Sequence, residues 1–203
     1  MRYRLSVLML LMLLTVLAVK NVLAAPAPAP SAVLQIELPP KDWSMEKHLE
    51  YIIDQNLTCP HSMPFAVWLD PEIRKLPSVA ARKDVKEARS WLAKNIRATK
   101  EDEGRRLRLE FRVGNRREQV AILNTLLRVY IQVRTKEQKS LEKHLHWQEN
   151  CILELEQRIA SGQQPGMVNS YRESINDLRS NLIPATRAKI DRFKKIAVIR
   201  WAK

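Results

Sequence analysis

The spacing of hydrophobic positions changes repeatedly along this chain, and each change marks a new element. Leu5 to Val19 is a continuous run without a charge, set behind Arg2 and Arg4. Residues 31–38 (SAVLQIEL) lead from Val33 and Leu34 into alternating Ile36 and Leu38 before Pro39 and Pro40, which predicts a first strand. Residues 43–57 place Met45, Leu49, Ile52 and Ile53 on one face with Ser44 as N-cap, so a short helix is expected there, closed by Cys59 and Pro60. After Phe65, Val67, Trp68 and Leu69, Asp70 offers a cap and Pro71 a favourable first position for a second helix. Asp84 repeats the device before Val85, Ala88, Trp91, Leu92 and Ile96. Residues 105–113 then alternate: Leu107, Leu109, Phe111 and Val113 fall on one face, with Arg106, Arg108, Glu110 and Arg112 on the other. This is a half-buried strand, antiparallel to the first or beside it, ended by Gly114 and Asn115.

From Arg116 no breaker occurs until Ser161 and Gly162, so one helix of roughly 65 Å is expected at 1.5 Å per residue. Its first part offers Val120, Leu123, Leu127, Tyr130 and Ile131 to the sheet. Its second part changes period: Leu141, Leu145, Gln148, Ile152, Leu155 and Ile159 step by four and three, the seam of a coiled coil with one polar layer. Past the turn SGQQPG, Val168, Tyr171, Ile175, Leu178 and Leu182 repeat that step, which predicts an antiparallel helical hairpin. Pro184 is expected to break the return helix before a basic end piece. The pattern as a whole predicts an α+β chain: a small sheet with packed helices as base, a long coiled-coil hairpin, and an N-terminal hydrophobic helix. The expected division is residues 1–25 hydrophobic segment, 26–31 Pro/Ala linker, 32–133 base, 134–183 hairpin and 184–203 basic C-terminal helix.

The N-terminal run reads as an export address, with Leu5, Met9, Leu13, Val16 and Val19 forming the membrane segment. Two fates stay open. Cleavage near Ala24 would release the chain. Retention requires extension to Ala25, giving roughly 31 Å against a hydrocarbon core of about 30 Å, with Lys20 reaching toward the headgroups. Either way the arginines hold the N-terminus in the cytoplasm and place the rest outside, in the cell envelope.

Composition sharpens this picture in two ways. With only 4 glycines and 28% charged residues, extended helices with solvated charged faces are favoured. A net charge of +13 in an exported chain points to acidic glycans, anionic headgroups or an acidic partner rather than nucleic acid. Arg106, Arg108 and Arg112 on the polar side of the second strand are the candidate contacts for an anionic partner. Cys59 and Cys151 are too few for a disulfide scaffold and wrongly spaced for zinc, so free thiols are the expectation. Asn56-Leu57-Thr58 is a glycosylation sequon. His144 and His146 lie two apart on a helix and so point to different faces. Glu101, Asp102 and Glu103 read as a solvated acidic turn. No phosphate loop, nucleophile elbow or metal-binding signature occurs in the sequence, so no catalytic residue, metal ligand or cofactor is expected.

The order of these parts, with DPEIRKLPSV from Asp70, WLAKNI from Trp91, RLRLEFRV and then REQVAILNTLLRVYI from Arg117, resembles the Wzz-like chain-length determinants, the polysaccharide co-polymerases. Glu118, Ala121, Asn124, Tyr130 and Ile131 match that family's pattern after its strand, and the similarity spans about residues 31–160. The resemblance implies a non-enzymatic, homo-oligomeric inner-membrane protein whose subunits surround a polysaccharide polymerase or export site. Members of the family return through a second membrane helix. None follows the coiled coil in this sequence, which is consistent with a shortened accessory relative. A different reading of the same pattern is a periplasmic coiled-coil adaptor or binding module of a secretion or efflux complex.

Overall fold

The computed structural model describes residues 29–101, 105–162, 164–194 and 196–203. Its sheet has four antiparallel strands in the order β2-β3-β1-β4, where β1 is Ser31–Gln35, β2 Ile96–Glu101, β3 Arg106–Phe111 and β4 Ala197–Arg200. The alternation in β3 does what its pattern demands: Leu107, Leu109 and Phe111 are fully buried. Register places Leu34 opposite Leu107, Ala32 opposite Leu109 and Ile96 opposite Phe111, so one face of the sheet is apolar. Short helices pack with that face: α1 (Met45–Tyr51), α2 (Met63–Trp68), α3 (Pro71–Arg74), α4 (Pro77–Ala80) and α5 (Val85–Asn95). Ser44, Asp70 and Asp84 cap α1, α3 and α5 through the N–H groups of Lys47, Glu72 and Glu87. The helix expected over residues 43–57 divides, because a π turn at Ile52–Leu57 follows α1. That turn contains one residue more than an α turn, and it keeps Leu57 on the buried side with Leu49 and Ile52.

The long helix α6 is Arg116–Ser161, 46 residues, so about 69 Å at 1.5 Å per residue. Asn115 caps it through the Glu118 N–H, and Gly162 ends it in the left-handed conformation with φ of 64°. Its first half closes the core with Ile122, Leu123, Leu126, Leu127 and Tyr130, all fully buried. The same half fastens segments from across the chain. Glu118 Oε1 accepts the Ser78 N–H at the start of α4 (3.3 Å), and Arg128 meets Asp70 at 2.5 Å. Asn124 pairs with both backbone groups of Ala202, accepting its N–H at 2.9 Å and donating to its carbonyl at 3.3 Å. Glu118 and Asn124, both part of the motif after the strand, therefore act as anchors.

The second half of α6 runs against a return stretch made of α7 (Val168–Asp177), a π turn at Leu178–Leu182 and α8 (Ile183–Phe193). Ion pairs Glu156–Arg179 and Glu149–Arg187 show that the two stretches are antiparallel. Pro184 does not break this return. The Ile183 N–H reaches back to the Leu178 carbonyl in the wide π pattern just ahead of the proline, which relieves the clash and missing donor of a proline inside a helix.

Two expectations are corrected at the sheet edges. Residues 184–203 are not one basic helix: α8 ends at Phe193, and β4 pairs with the edge of β1 that β3 leaves open. Glu101 belongs to β2 and not to a loop. Local pattern is weak in both edge strands, and pairing with a strongly patterned neighbour decides them.

Candidate functional site

The face of the sheet away from the helices carries the outward residues of all four strands. Three cross-strand rows lie on it: Arg97, Glu110 and Ser31; Thr99, Arg108, Val33 and Arg200; Glu101, Arg106, Gln35 and Ala197. Arg97, Thr99, Arg108 and Arg200 are exposed, while Val33 is only 5% exposed. Arg112 lies just beyond β3 and donates to Glu110 Oε2 at 2.8 and 3.1 Å. Arg108 Nε donates to Glu101 Oε1 at 2.6 Å, and Arg200 Nη2 to Ser31 Oγ at 3.2 Å. Among the described residues this surface sets five arginines against two glutamates. Arg106, Arg108 and Arg112, chosen from the alternation of one strand, are brought together here. Arg97 and Arg200 join them from β2 and β4, strands that the apolar pattern did not reveal.

A second polar cluster is buried where the helical arm leaves the base. Glu37, two residues past β1 and 3% exposed, accepts the Tyr130 hydroxyl at 2.6 Å and lies 3.4 Å from Arg134 Nη2. Arg134 also holds Glu137 at 2.8 Å and lies over the Tyr130 ring, 5.1 Å from its centroid. Arg192, from α8, donates to the Leu38 carbonyl at 2.7 Å. His48 of α1 is 3% exposed, 3.9 Å from Glu37 Oε1, and neither ring nitrogen has a hydrogen-bond partner. Burial pushes the Tyr130 hydroxyl pKa up, and the Glu37 charge adds to that effect. Burial opposes the charge of Arg134, but Tyr130 and Glu37 outweigh it and raise the pKa. Burial lowers the pKa of His48 against the upward pull of Glu37, and lowers that of Arg192 likewise. The cluster thus locks three segments together: the end of β1, the middle of α6 and the end of α8. Sequence reasoning missed it, since the alternation of Ile36 and Leu38 says nothing of Glu37, and nothing local brings Glu37 to Tyr130, Arg134 and His48.

In the arm, Ile152, Ile175 and Ile183 form a core with Leu145, Leu155, Ile159 and Leu178 packed against it. Tyr171 is 8% exposed and Val168 is half-buried. Two expected seam residues depart from this core. Leu182 is 44% exposed, because the π turn adds a residue to the stripe and Ile183 takes the inward position. Leu141 lies nearer the root, lining a cleft with Phe193, Lys189 and Arg192. Gln148 is 2% exposed and its side-chain oxygen has no hydrogen-bond partner, so the expected polar layer is present and unsatisfied.

The remaining candidates are scattered. Cys59 and Cys151 are both free. His144 and His146 are exposed, His144 stacking on Trp147 with centroids 5.4 Å apart. The Asn56 side-chain nitrogen is buried without a hydrogen-bond partner. Leu5, Met9, Leu13, Val16 and Val19 lie outside the described residues. Among the described residues no helix is long and apolar enough to cross a membrane, and no group of His, Cys, Asp or Glu could hold a metal ion. A cleft of about 290 Å³ at the arm's root, lined by Ile131, Arg134, Thr135, Gln138, Phe193, Lys194 and Ile196, has two cations and no carboxylate in its wall, so it pairs no acid with a base. No protein-family model matches the chain, and neither does any curated protein or solved structure.

Proposed function

We propose that this chain is a non-enzymatic cell-envelope scaffold that takes part in assembling or exporting a surface polysaccharide through self-association. The observation that carries the reading is the 46-residue helix, which extends far past the base it helps to close. A two-helix arm with a narrow apolar seam is marginal alone, and packing of such arms against copies of themselves in a coiled-coil ring would complete it. The resemblance of the base sequence to chain-length determinants supports the polysaccharide role, and the uncharged N-terminal run supports tethering to the inner membrane with the base outside.

Deleting the gene and sizing the surface polymer by gel electrophoresis tests the reading. A shifted length distribution, restored by the full chain, is the expected result; an unchanged distribution sinks it. Cross-linking in intact envelopes should also give ladders beyond the monomer.

One observation favours a different role. Trp147 and Leu153 are 58% and 56% exposed on the arm, about 120° apart around the helix, and a docking adaptor in a secretion or efflux complex would cover them with partners on two sides. Carbonate washing separates the two: a protein that washes off membranes and co-purifies with an export complex is the adaptor.

A further inference from the structure

We infer that the uncovered face of the sheet binds an acidic polysaccharide, its arginines pairing with carboxylates carried along one extended glycan. The inference rests on the proposed envelope role for where the polymer is met, and on the face itself for how it is held. Arg97, Arg106, Arg108 and Arg200 come from three strands and Arg112 from the end of β3, on a surface no described helix covers. Outward residues two apart on a strand lie about 6.7 Å from each other, and neighbouring strands about 4.8 Å, so the guanidinium groups form a lattice and not a point. All five cations are arginine, whose planar fork matches a carboxylate with two parallel hydrogen bonds. Thr99 and Gln35 stand among them as partners for sugar hydroxyls.

The glutamates on this face do not block it. The Glu101–Arg108 and Glu110–Arg112 pairs involve arginines 44% and 50% exposed, and such pairs exchange readily with carboxylates arriving from outside. Two other polyanions fit worse. The strand positions of this face include no aromatic residue on which bases could stack, as a single-stranded nucleic acid would require. The large apolar side chains exposed along β4 and its end, Ile199 at 46% and Trp201 at 47%, are confined to one edge, with Val33 sunk among its neighbours, and do not form the broad apolar face that insertion into a lipid interface needs.

Binding of the purified full chain to fluorescent polygalacturonate and to neutral dextran, at low and high ionic strength, tests this. Polygalacturonate is expected to bind and to release as salt rises, and dextran not to bind. The triple variant Arg97→Gln, Arg108→Gln, Arg200→Gln is expected to lose about tenfold or more in affinity with an unchanged melting temperature, because multivalent contacts fail together. The same arginines changed to Lys should recover part of that loss, since charge returns without the fork. A control variant carrying Arg158→Gln, Arg172→Gln and Lys143→Gln on the arm removes equal charge and should bind as the parent does. Equal loss in the control, equal binding of dextran, or tighter binding of polyuridylate or phosphatidylglycerol vesicles with the same arginine dependence would overturn the proposal. Unchanged polymer length in the deletion strain alongside arginine-dependent binding would sink the envelope role and leave this surface standing.

Discussion

In the base, Leu107, Leu109, Phe111, Ile122 and Leu126 have no solvent contact, whereas in the arm the apolar seam residues Ile152, Ile175 and Ile183 remain 7%, 8% and 8% exposed. The small difference has a geometrical cause. A residue between sheet and helices is enclosed on every side, while a residue between two helices is covered on one side only. Buried polar atoms without a partner occur in both regions, at His48 in the base and at Gln148 in the arm, but the base also fastens α6 with polar anchors at Ser78, Asp70, Ala202 and Glu37. The base is therefore a self-sufficient core, and the arm derives order from its root and from whatever packs along it.

The largest expected effect contrasts the two regions directly. Phe111→Ala should cost about 3–5 kcal/mol and lower the protection of amides throughout the chain. Ile152→Ala should instead raise hydrogen exchange in the arm and leave the β1 and β3 amides protected. If both substitutions unfold the chain as one unit in denaturant titrations, the distinction fails.

Next is the root lock. Tyr130→Phe removes the donor to the buried Glu37 carboxylate and should destabilise by about 1.5–3 kcal/mol, with arm amides exchanging faster even though the substitution lies in the base half of α6. An arm that keeps its protection would mean that the root does not govern it. In the opposite direction, Gln148→Leu should stabilise the arm by about 1–2 kcal/mol by removing an unsatisfied buried oxygen.

The root also carries a pH dependence. Because burial holds the His48 pKa below its ordinary 6.5, the unfolded chain binds the proton first as the solution is acidified. Stability from this group is fully present above pH 6.5 and is lost as pH falls toward the folded value. Glu37, Arg134 and Arg192 face His48, with Glu37 opposing the shift and both arginines reinforcing it. Thermal melts across this range should show the loss in the parent chain and a flatter profile in His48→Leu. The smallest effect checks the π turn: Leu182→Gln should stay within about 0.5 kcal/mol of the parent, as an exposed position does, while Ile183→Gln clearly destabilises. Equal losses would mean that the stripe was not shifted.

How far the sequence was legible follows from the same contrast. The strands at β1 and β3, the capped helices at Ser44, Asp70 and Asp84 and the extent of α6 were all written in local periodicity or in a cap next to the element it starts. The edge strands β2 and β4 were not, because their residues are weakly patterned and take their conformation from a neighbour. Part of the candidate surface was visible as Arg106, Arg108 and Arg112. Arg97 and Arg200 join it only once sheet order is known, since sheet order depends on contacts between distant segments.

The hydrophobic spacing by itself determined two strands, a long helix and a return helix with matching seam, because each follows from residues within a few positions of one another. Tertiary structure alone decided that the C-terminal residues complete the sheet, that Ile183 rather than Leu182 faces the seam, and that Glu37, Tyr130, Arg134 and His48 meet in one buried cluster. An edge strand needs a free edge, a π turn is chosen by the register on both sides of it, and a buried carboxylate is tolerable only where distant donors converge on it.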